Sequence, residues 1–528
     1  MSGGQKPQNR MSKFLKWLDE HILEYFSLAL LIFIPLYPKI PLAEVLPGYL
    51  VRLRLDDVLI ASAFVIWVIW VIRGRVSLRK NPLLIPIVIY IAVGFASTLS
   101  AMFITKTVPL ETLHVAKLYL HFVRRIEYFS VFFIFFSSIK SLDQVKKYVY
   151  VAAIVLIAVS IYGFGQKYLY WPAYSTMNRE FSKGVRLYLT EHARVLSTFG
   201  GHYDLAAYLM IALTLFIPLA FVVRKWLLKI IFALGSILGF WLLILTVSRT
   251  SFLAYIVSIT VVFIFLAFKK GWLWSLPRWF LIIFLSLAVM VSFGDLAGRF
   301  AHVLKLDKFR NSALLKPLAK NIPSGPRTAY LDVVADKTDV PPTTAKPAGT
   351  PADVYSEIGE EGLPASLSAK PRVYSQAAVQ YDLSTGIRLD YTWPQAIKGF
   401  ARNPLLGSGY STLTKEHIED FTDAESTDND FLRALGETGL AGFLAFFGIL
   451  AFVFWYAVSN FKMVKDPFFA TVIAALAAAI IGLLINAFYI DVFEASKVAY
   501  MFWIMMAILT AAIKFSATPT KATDRKIK

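Results

Sequence analysis

The chain has 528 residues, 57% of them hydrophobic and 15% aromatic, with 17% charged and a mean hydropathy of +0.59. That is more apolar surface than a soluble core can bury, so the composition excludes a soluble globular protein and describes a polytopic membrane protein. The net charge of +19 is assigned to cytoplasmic loops, which collect Lys and Arg, rather than to nucleic acid binding, and the lack of cysteine rules out disulfides and thiolate metal sites.

Residues 1–22 are polar and basic without the apolar core of a cleavable signal, and read as a cytoplasmic tail. Apolar runs of about 17 to 25 residues then mark membrane spans. They fall near 23–38, 56–72, 83–104, 118–139, 148–168, 203–223, 229–247, 251–268 and 278–295, giving nine spans within 23–296. Three more follow near 439–458, 468–488 and 496–514, before a tail at 515–528. The expected fold is therefore all-α, with about twelve transmembrane helices and one long outer loop between helices 9 and 10. Basic residues cluster in alternate connections: Arg73 to Lys80, Lys140 to Lys147, Arg224 and Lys225, Lys269 to Arg278, and Lys462 with Lys465. By the positive-inside rule these connections and both termini are cytoplasmic, in a multi-pass inner-membrane protein. The remaining loops face outward.

The outer loop, 297–438, has two parts. Residues 316–370 are rich in Pro, Ala, Thr, Lys and Gly, and read as a disordered insertion extending from near Arg299. Residues 386–438 form a polar cassette beginning at Gly386. There Ile387, Trp393, Ala396, Ile397 and Phe400 have near-helical spacing, which predicts a helix on the membrane interface anchored by the tryptophan. No internal repeat is evident, which counts against an inverted-repeat transporter.

Charged residues at outward span ends are the next signal, since charge in lipid is costly. Arg186 and Arg194 precede the sixth span, with His202 and Asp204 at its start. Arg249 sits in the turn Thr246-Val-Ser248-Arg249-Thr-Ser251, and Arg388 opens the cassette. Arg124, Arg125 and Glu127 fall in the outer part of the fourth span, where Arg124 and Glu127 are spaced to form a structural ion pair. A guanidinium keeps its proton and matches phosphate oxygens in pairs. Converging arginines could stabilise a departing diphosphate without a metal, each well-placed donor contributing on the order of 2.7 to 4 kcal/mol. No clustered acidic or histidine ligand set appears on the outer side, so neither metal nor cofactor is expected.

Four pieces together resemble the O-antigen ligase and O-antigen polymerase superfamily, which includes protein O-oligosaccharyltransferases. They are Arg194 with Ser197-Thr-Phe-Gly200; Ser248-Arg249; Arg388, Trp393 and Asn403-Pro-Leu-Leu-Gly407-Ser-Gly409; and Asn429, Leu432 and Glu437-Thr-Gly439-Leu-Ala-Gly442. The resemblance runs from about 180 to 460. It implies a metal-independent, inverting transfer of a glycan from an undecaprenyl (polyprenyl) diphosphate carrier to an acceptor hydroxyl on the outer face of the membrane. The implied partners are that donor, a glycan or lipid-glycan acceptor and membrane lipids. Arg194, Arg249 and Asp428 are the expected catalytic residues, and Arg388, Arg186, His202 and Asn429 the expected substrate-binding ones.

Many members carry histidine where this chain has Asp428. A carboxylate can also accept the hydroxyl proton, but Asp428, Asn429 or Asp430 could equally cap the following helix. Arg194, Arg249 and Arg388 could instead reach lipid headgroups, Glu437 and its glycines could serve only to turn the chain, and His417 could deputise as base. Two other classes stay open: a transporter or flippase, which needs charge near mid-bilayer, and a scaffold, which would require residues 316–370 for function.

Overall fold

The computed structural model describes residues 10–46, 51–177, 181–190, 193–292, 354–356, 388–413 and 427–517. Expectations at Arg299, 316–353, 357–370, Gly386, Ile387, His417 and the basic tail after 517 lie outside them, while 354–356, within the stretch expected to be disordered, form a short strand.

Twelve long helices and one short one are described. The first nine are α1 (Arg10–Leu36), α2 (Leu55–Ile72), α3 (Leu84–Phe103), α4 (Thr112–Ser138), α5 (Leu142–Tyr168), α6 (His202–Val222), α7 (Trp226–Leu245), α8 (Arg249–Lys270) and α9 (Trp272–Ser292). The short α10 (Trp393–Arg402) precedes α11 (Asp430–Phe461), α12 (Pro467–Asn486) and α13 (Ser496–Ala517). Ten of the long helices have the length and apolarity to cross a membrane. The other two, α1 and α4, are 27 residues each and carry more charge. Among the described residues sheet is confined to two antiparallel pairs: β1 (Pro41–Glu44) with β2 (Arg52–Arg54), and β3 (Leu187–Leu189) with the sequence-distant β4 (Val354–Ser356).

Short connections make successive helices antiparallel, and hydrogen bonds fix which ends lie together. The Lys497 ammonium, at the start of α13, donates to the carbonyls of Pro35, Tyr37 and Thr198 at 3.3, 2.5 and 2.7 Å. That gathers the end of α1, the approach to α6 and the start of α13. At the opposite end Asp19 of α1 pairs with Arg73 and Arg75, Glu24 pairs with Lys147, and Lys269 donates to the Lys462 carbonyl. The basic connections therefore share one end of the bundle, and the chain between α9 and α11 emerges at the other, the long-loop end.

The centre is built from α6, α8, α12 and α13. In their spans 83% of α6 and 89% of α13 is buried, against 11% of α9, so α9 is peripheral. Close approach comes from small residues: a Cβ at Gly482 of α12 would lie 2.2 Å from Ser258 Oγ and 2.5 Å from Met210 Sδ. With no hydrophobic driving force between helices in lipid, this contact packing is what holds them.

Two boundaries differ from the sequence reading. Helix α4 starts at Thr112, because Glu111 in extended backbone begins it, so Arg124 and Glu127 fall near the middle of its length while remaining level with the starts of α2 and α13, which supply Asp57 and Tyr500. Helix α11 starts at Asp430 and passes through a break at Gly439 (φ 66°, ψ −168°), where the sequence had suggested the span would begin. Arg124 bonds Asp57, Glu127 and the Tyr500 hydroxyl at 2.6, 2.8 and 2.8 Å, the structural ion pair expected, extended to α2 and α13.

Candidate active site at the long-loop end

Two sequence pieces that looked separate form one unit. Asn403 folds the turn after α10, its Oδ1 accepting from the amides of Leu405 and Leu406 and its carbonyl from Gly407. The turn then pairs with the broken part of α11. Ser408 and Gly409 amides donate to the carbonyls of Gly436 and Glu437 at 2.8 and 2.9 Å, while Leu440 and Ala441 amides donate to Pro404 and Leu405. The break at Gly439 frees those groups, and the Gly-rich turn satisfies them, as buried backbone requires. A Cβ at Gly407 (φ 71°) would lie 2.4 Å from the Glu437 carbonyl carbon, and one at Gly439 2.4 Å from that of Leu405, so glycine is demanded on both sides. The Glu437 side chain accepts from the Ser411 amide at 2.9 Å, so it clamps the turn as well as sitting in the break.

Helix α10 is the helix expected from the spacing of Ile387 to Phe400, starting later, at Trp393, and packed differently. Its contact face is small: a Cβ on Gly436 would lie 2.8 Å from the Ala396 carbonyl oxygen, and one on Gly399 2.4 Å from Leu413. Ile397 points away and is exposed, and Trp393 is half-buried near Tyr489, ring centroids 6.2 Å apart.

Four consecutive residues at the end of α12 collect three segments. Asn486 Oδ1 accepts from Ser251 Oγ (2.7 Å), Ala487 O from the Asp430 amide (2.9 Å), Phe488 O from Asn429 Nδ2 (3.2 Å) and Tyr489 O from Arg388 Nη2 (3.1 Å). Ser251 also accepts from Ser248, the residue before Arg249, so the turn carrying Arg249 at the start of α8 is anchored there. Arg388 is buried and ion-paired with Asp428 at 3.2 Å.

The helix cap is Asn429, whose Oδ1 accepts from the Leu432 amide at 2.9 Å. Asp428 is not the cap: it stands one residue earlier at φ 53°, where its carboxylate meets Arg388. That left-handed backbone is held by Asp491, whose two oxygens accept from the Thr427 and Asn429 amides at 2.9 Å each. Asp491 in turn pairs with Arg433 at 3.1 Å.

Arg194 lies on the same end. The amide of Val195 bonds the Leu245 carbonyl at the end of α7, four residues before Arg249. Its guanidinium meets His202 Nε2 at 2.9 Å and Tyr203 OH at 3.5 Å. His202 is the first residue of α6 and is buried. Arg186 is exposed beside β3 and is not drawn into the buried cluster.

A second charge cluster lies deeper and was largely unread in the sequence. Arg433 pairs with Glu437 (3.2 Å), Asp491 and Glu494 (3.7 Å), and Arg125 with Glu494 and Glu437 (3.7 Å), with Arg125 also over the Tyr410 ring at 5.3 Å. Burial pushes the Tyr410 phenol well above its ordinary value, so it stays neutral against that arginine. The available signal was the short connection 487–495, which carries Asp491 and Glu494 between two largely apolar spans.

Beside these clusters a cavity of about 580 Å³ opens between α2, α4 and the start of α13. It is lined by neither Arg194, Arg249, Arg388 nor Asp428. Among the described residues no group of three His, Cys, Asp or Glu side chains is placed to hold a metal ion.

Residues 234–447 match the family model described as O-antigen ligase. The matched stretch begins in α7 and ends in α11, so it contains Arg249, Arg388, Asp428, Asn429 and both halves of the glycine-paired turn, while Arg186, Arg194 and His202 precede it. No curated protein matches the chain.

Proposed function

We propose that this chain, which residues 234–447 place in the O-antigen ligase and polymerase superfamily, moves a glycan from a polyprenyl diphosphate carrier to an acceptor hydroxyl on the extracytoplasmic side. The observation that carries the reading is the convergence of the Arg249 turn, Arg388, Asp428 and Asn429 on residues 486–489, at the end of the bundle away from the basic connections. That distribution of Lys and Arg argues for a cytoplasmic basic end and an extracytoplasmic site.

In this reading Arg249 and Arg388 donate to the diphosphate as negative charge grows on it, and Arg194, braced by His202, adds a third cation. Asn429 fixes the start of α11 and so the position of Asp428. The acceptor hydroxyl oxygen attacks the anomeric carbon as its proton passes to the Asp428 carboxylate. The bond from that carbon to the diphosphate oxygen breaks, and the polyprenyl diphosphate leaves with the electron pair, inverting the anomeric centre. Arg388 then faces a neutral acid on one side and a more highly charged leaving group on the other, which draws it towards product.

Purified protein in detergent, given a polyprenyl diphosphate oligosaccharide, tests this directly. Lengthened glycan identifies a polymerase, and transfer to a different lipid or a protein identifies a ligase. Arg249→Ala should give no product while eluting and melting like the parent; product at the parent's yield from that variant removes Arg249 from the site. A flippase reading needs charge near mid-bilayer, whereas Arg124, Arg125 and Glu127 lie level with the starts of α2 and α13. It predicts that vesicles containing the protein move labelled carrier between leaflets without forming product.

A further inference from the structure

We propose that the cavity between α2, α4 and the start of α13 binds the phosphate-bearing head of a lipid, at a place separate from Arg249 and Asp428. The cavity wall carries two kinds of charged group. Arg124, Arg125 and Arg433 are each neutralised by carboxylates, through Asp57, Glu127, Glu437, Asp491 and Glu494. Lys39, Arg52 and Arg54 are not: among the described residues none of them forms an ion pair. Lys39 donates to Ser496 Oγ and Arg52 to the Ser182 carbonyl at 2.6 Å, both neutral acceptors. The Arg54 guanidinium has no hydrogen bond among the described residues, and the Nε atoms of Arg52 and Arg54 are buried without an acceptor. Asp204 is the one wall carboxylate outside an ion pair; with the buried Asp56 and with Asp57 it acts on Lys39 and Arg54 only through longer-range attraction, without a contacting pair.

Leaving a desolvated cation without a counter-charge is costly, and a fold usually avoids it. Three such groups around one cavity define an anion site, and the two arginines offer the paired donors that suit phosphate oxygens. The rest of the wall says what the anion is attached to. Ile60, Ala61 and Phe64 of α2 face Leu120 and Val123 of α4 across it, and Ala61 and Val123 are exposed well inside their helices. The cavity thus opens sideways between two helices at membrane depth. A phosphate with acyl or prenyl chains fits that shape: head on Lys39, Arg52 and Arg54, tails along α2 and α4.

The test is lipid retention, which does not depend on glycan transfer. The full chain, delipidated in detergent, is offered phosphatidic acid or diacylglycerol and examined by native mass spectrometry. Phosphatidic acid should be held and diacylglycerol lost. Arg54→Gln should weaken phosphatidic acid binding about tenfold or more, the loss expected for one charge-assisted bond. Arg54→Lys should recover part of it, and Arg249→Ala should bind as the parent does. Equal retention of the two lipids, undiminished retention by Arg54→Gln, or loss in Arg249→Ala would each overturn the proposal. Complete displacement by millimolar inorganic phosphate would overturn its lipid part, leaving a site for the free anion.

Discussion

Two sets of arginines line the wall of one cavity and differ in their partners. Arg125 and Arg433 form ion pairs with carboxylates brought by α11 and by the α12–α13 connection, whereas Arg52 and Arg54, on β2 and at the threshold of α2, form no ion pair among the described residues. The first set is cohesive: its charges are cancelled within the protein, and its removal should be felt in stability. The second is receptive, because its charge is left for something the protein does not supply. The Arg249 and Arg388 end combines both, with Arg388 held by Asp428 and by the end of α12 while still bordering the proposed reaction centre. Burial of a cation is thus a poor guide to its role until its partners are known.

The sharpest way to break this comparison is Arg433→Ala. It strands Asp491, Glu494 and Glu437 together, and removing one partner of a buried ion network costs about 3–5 kcal/mol. Thermal unfolding in detergent should show a large fall, and a parental melting point would mean that the cluster is not cohesive. Next come the residues assigned to chemistry. Arg249→Ala should lower transfer roughly 10²- to 10³-fold and Asp428→Asn by about 10²-fold or more, with melting little changed, as judged by product formation against unfolding. Unchanged turnover in Asp428→Asn would leave the carboxylate as Arg388's partner alone.

Gly407→Ala should cost about 1–3 kcal/mol from its left-handed backbone alone, with added strain from the Glu437 carbonyl it would strike. Parental stability there would show that the turn and the α11 break can separate. Arg54→Gln has the smallest expected effect on folding. Since the side chain has no hydrogen bond or ion pair to lose among the described residues, lipid-free protein should melt close to the parent.

A pH series sharpens the same contrast. Burial, with Arg54 close by, holds the Lys39 ammonium down at about 8, so it is charged at pH 7 and largely neutral at pH 9. Phosphatidic acid binding should weaken as pH rises through that value. Lipid-free stability has the opposite sign. A lysine whose pKa is lower folded than unfolded leaves stability unaffected below about 8 and raises it from there towards the ordinary 10.5. Binding that is flat from pH 7 to 9 would take Lys39 out of the site.

Much of the architecture is legible in the order of residues because a bilayer imposes one-dimensional rules. Apolar run lengths located all twelve long helices, and the basic residues fell in alternate connections that the structure gathers at one end. Arg249, Arg388 and Asn429 stood out for the same reason: polar groups at span ends are conspicuous against an apolar background. Harder to read was Glu437-Thr-Gly439, which looked like the start of a span and is a break inside α11. The turn that fills this break is separated from it by residues 414–426, and a hydrogen-bond ladder between distant segments leaves no periodic trace.

Sequence alone therefore determined the solvent, the helices, their alternation and a resemblance to O-antigen ligases, since each follows from composition or from patterns local to the chain. Tertiary structure decided the rest: that Asn429 caps α11 while Asp428 turns to Arg388, that Asp491 grips the amides on either side of it, and that Arg54 faces a cavity without an ion-pair partner among the described residues. The physical reason is that a charge is defined by its neighbours in space. Those neighbours come from α2, α4, α11 and the α12–α13 connection, which only the packed bundle brings together.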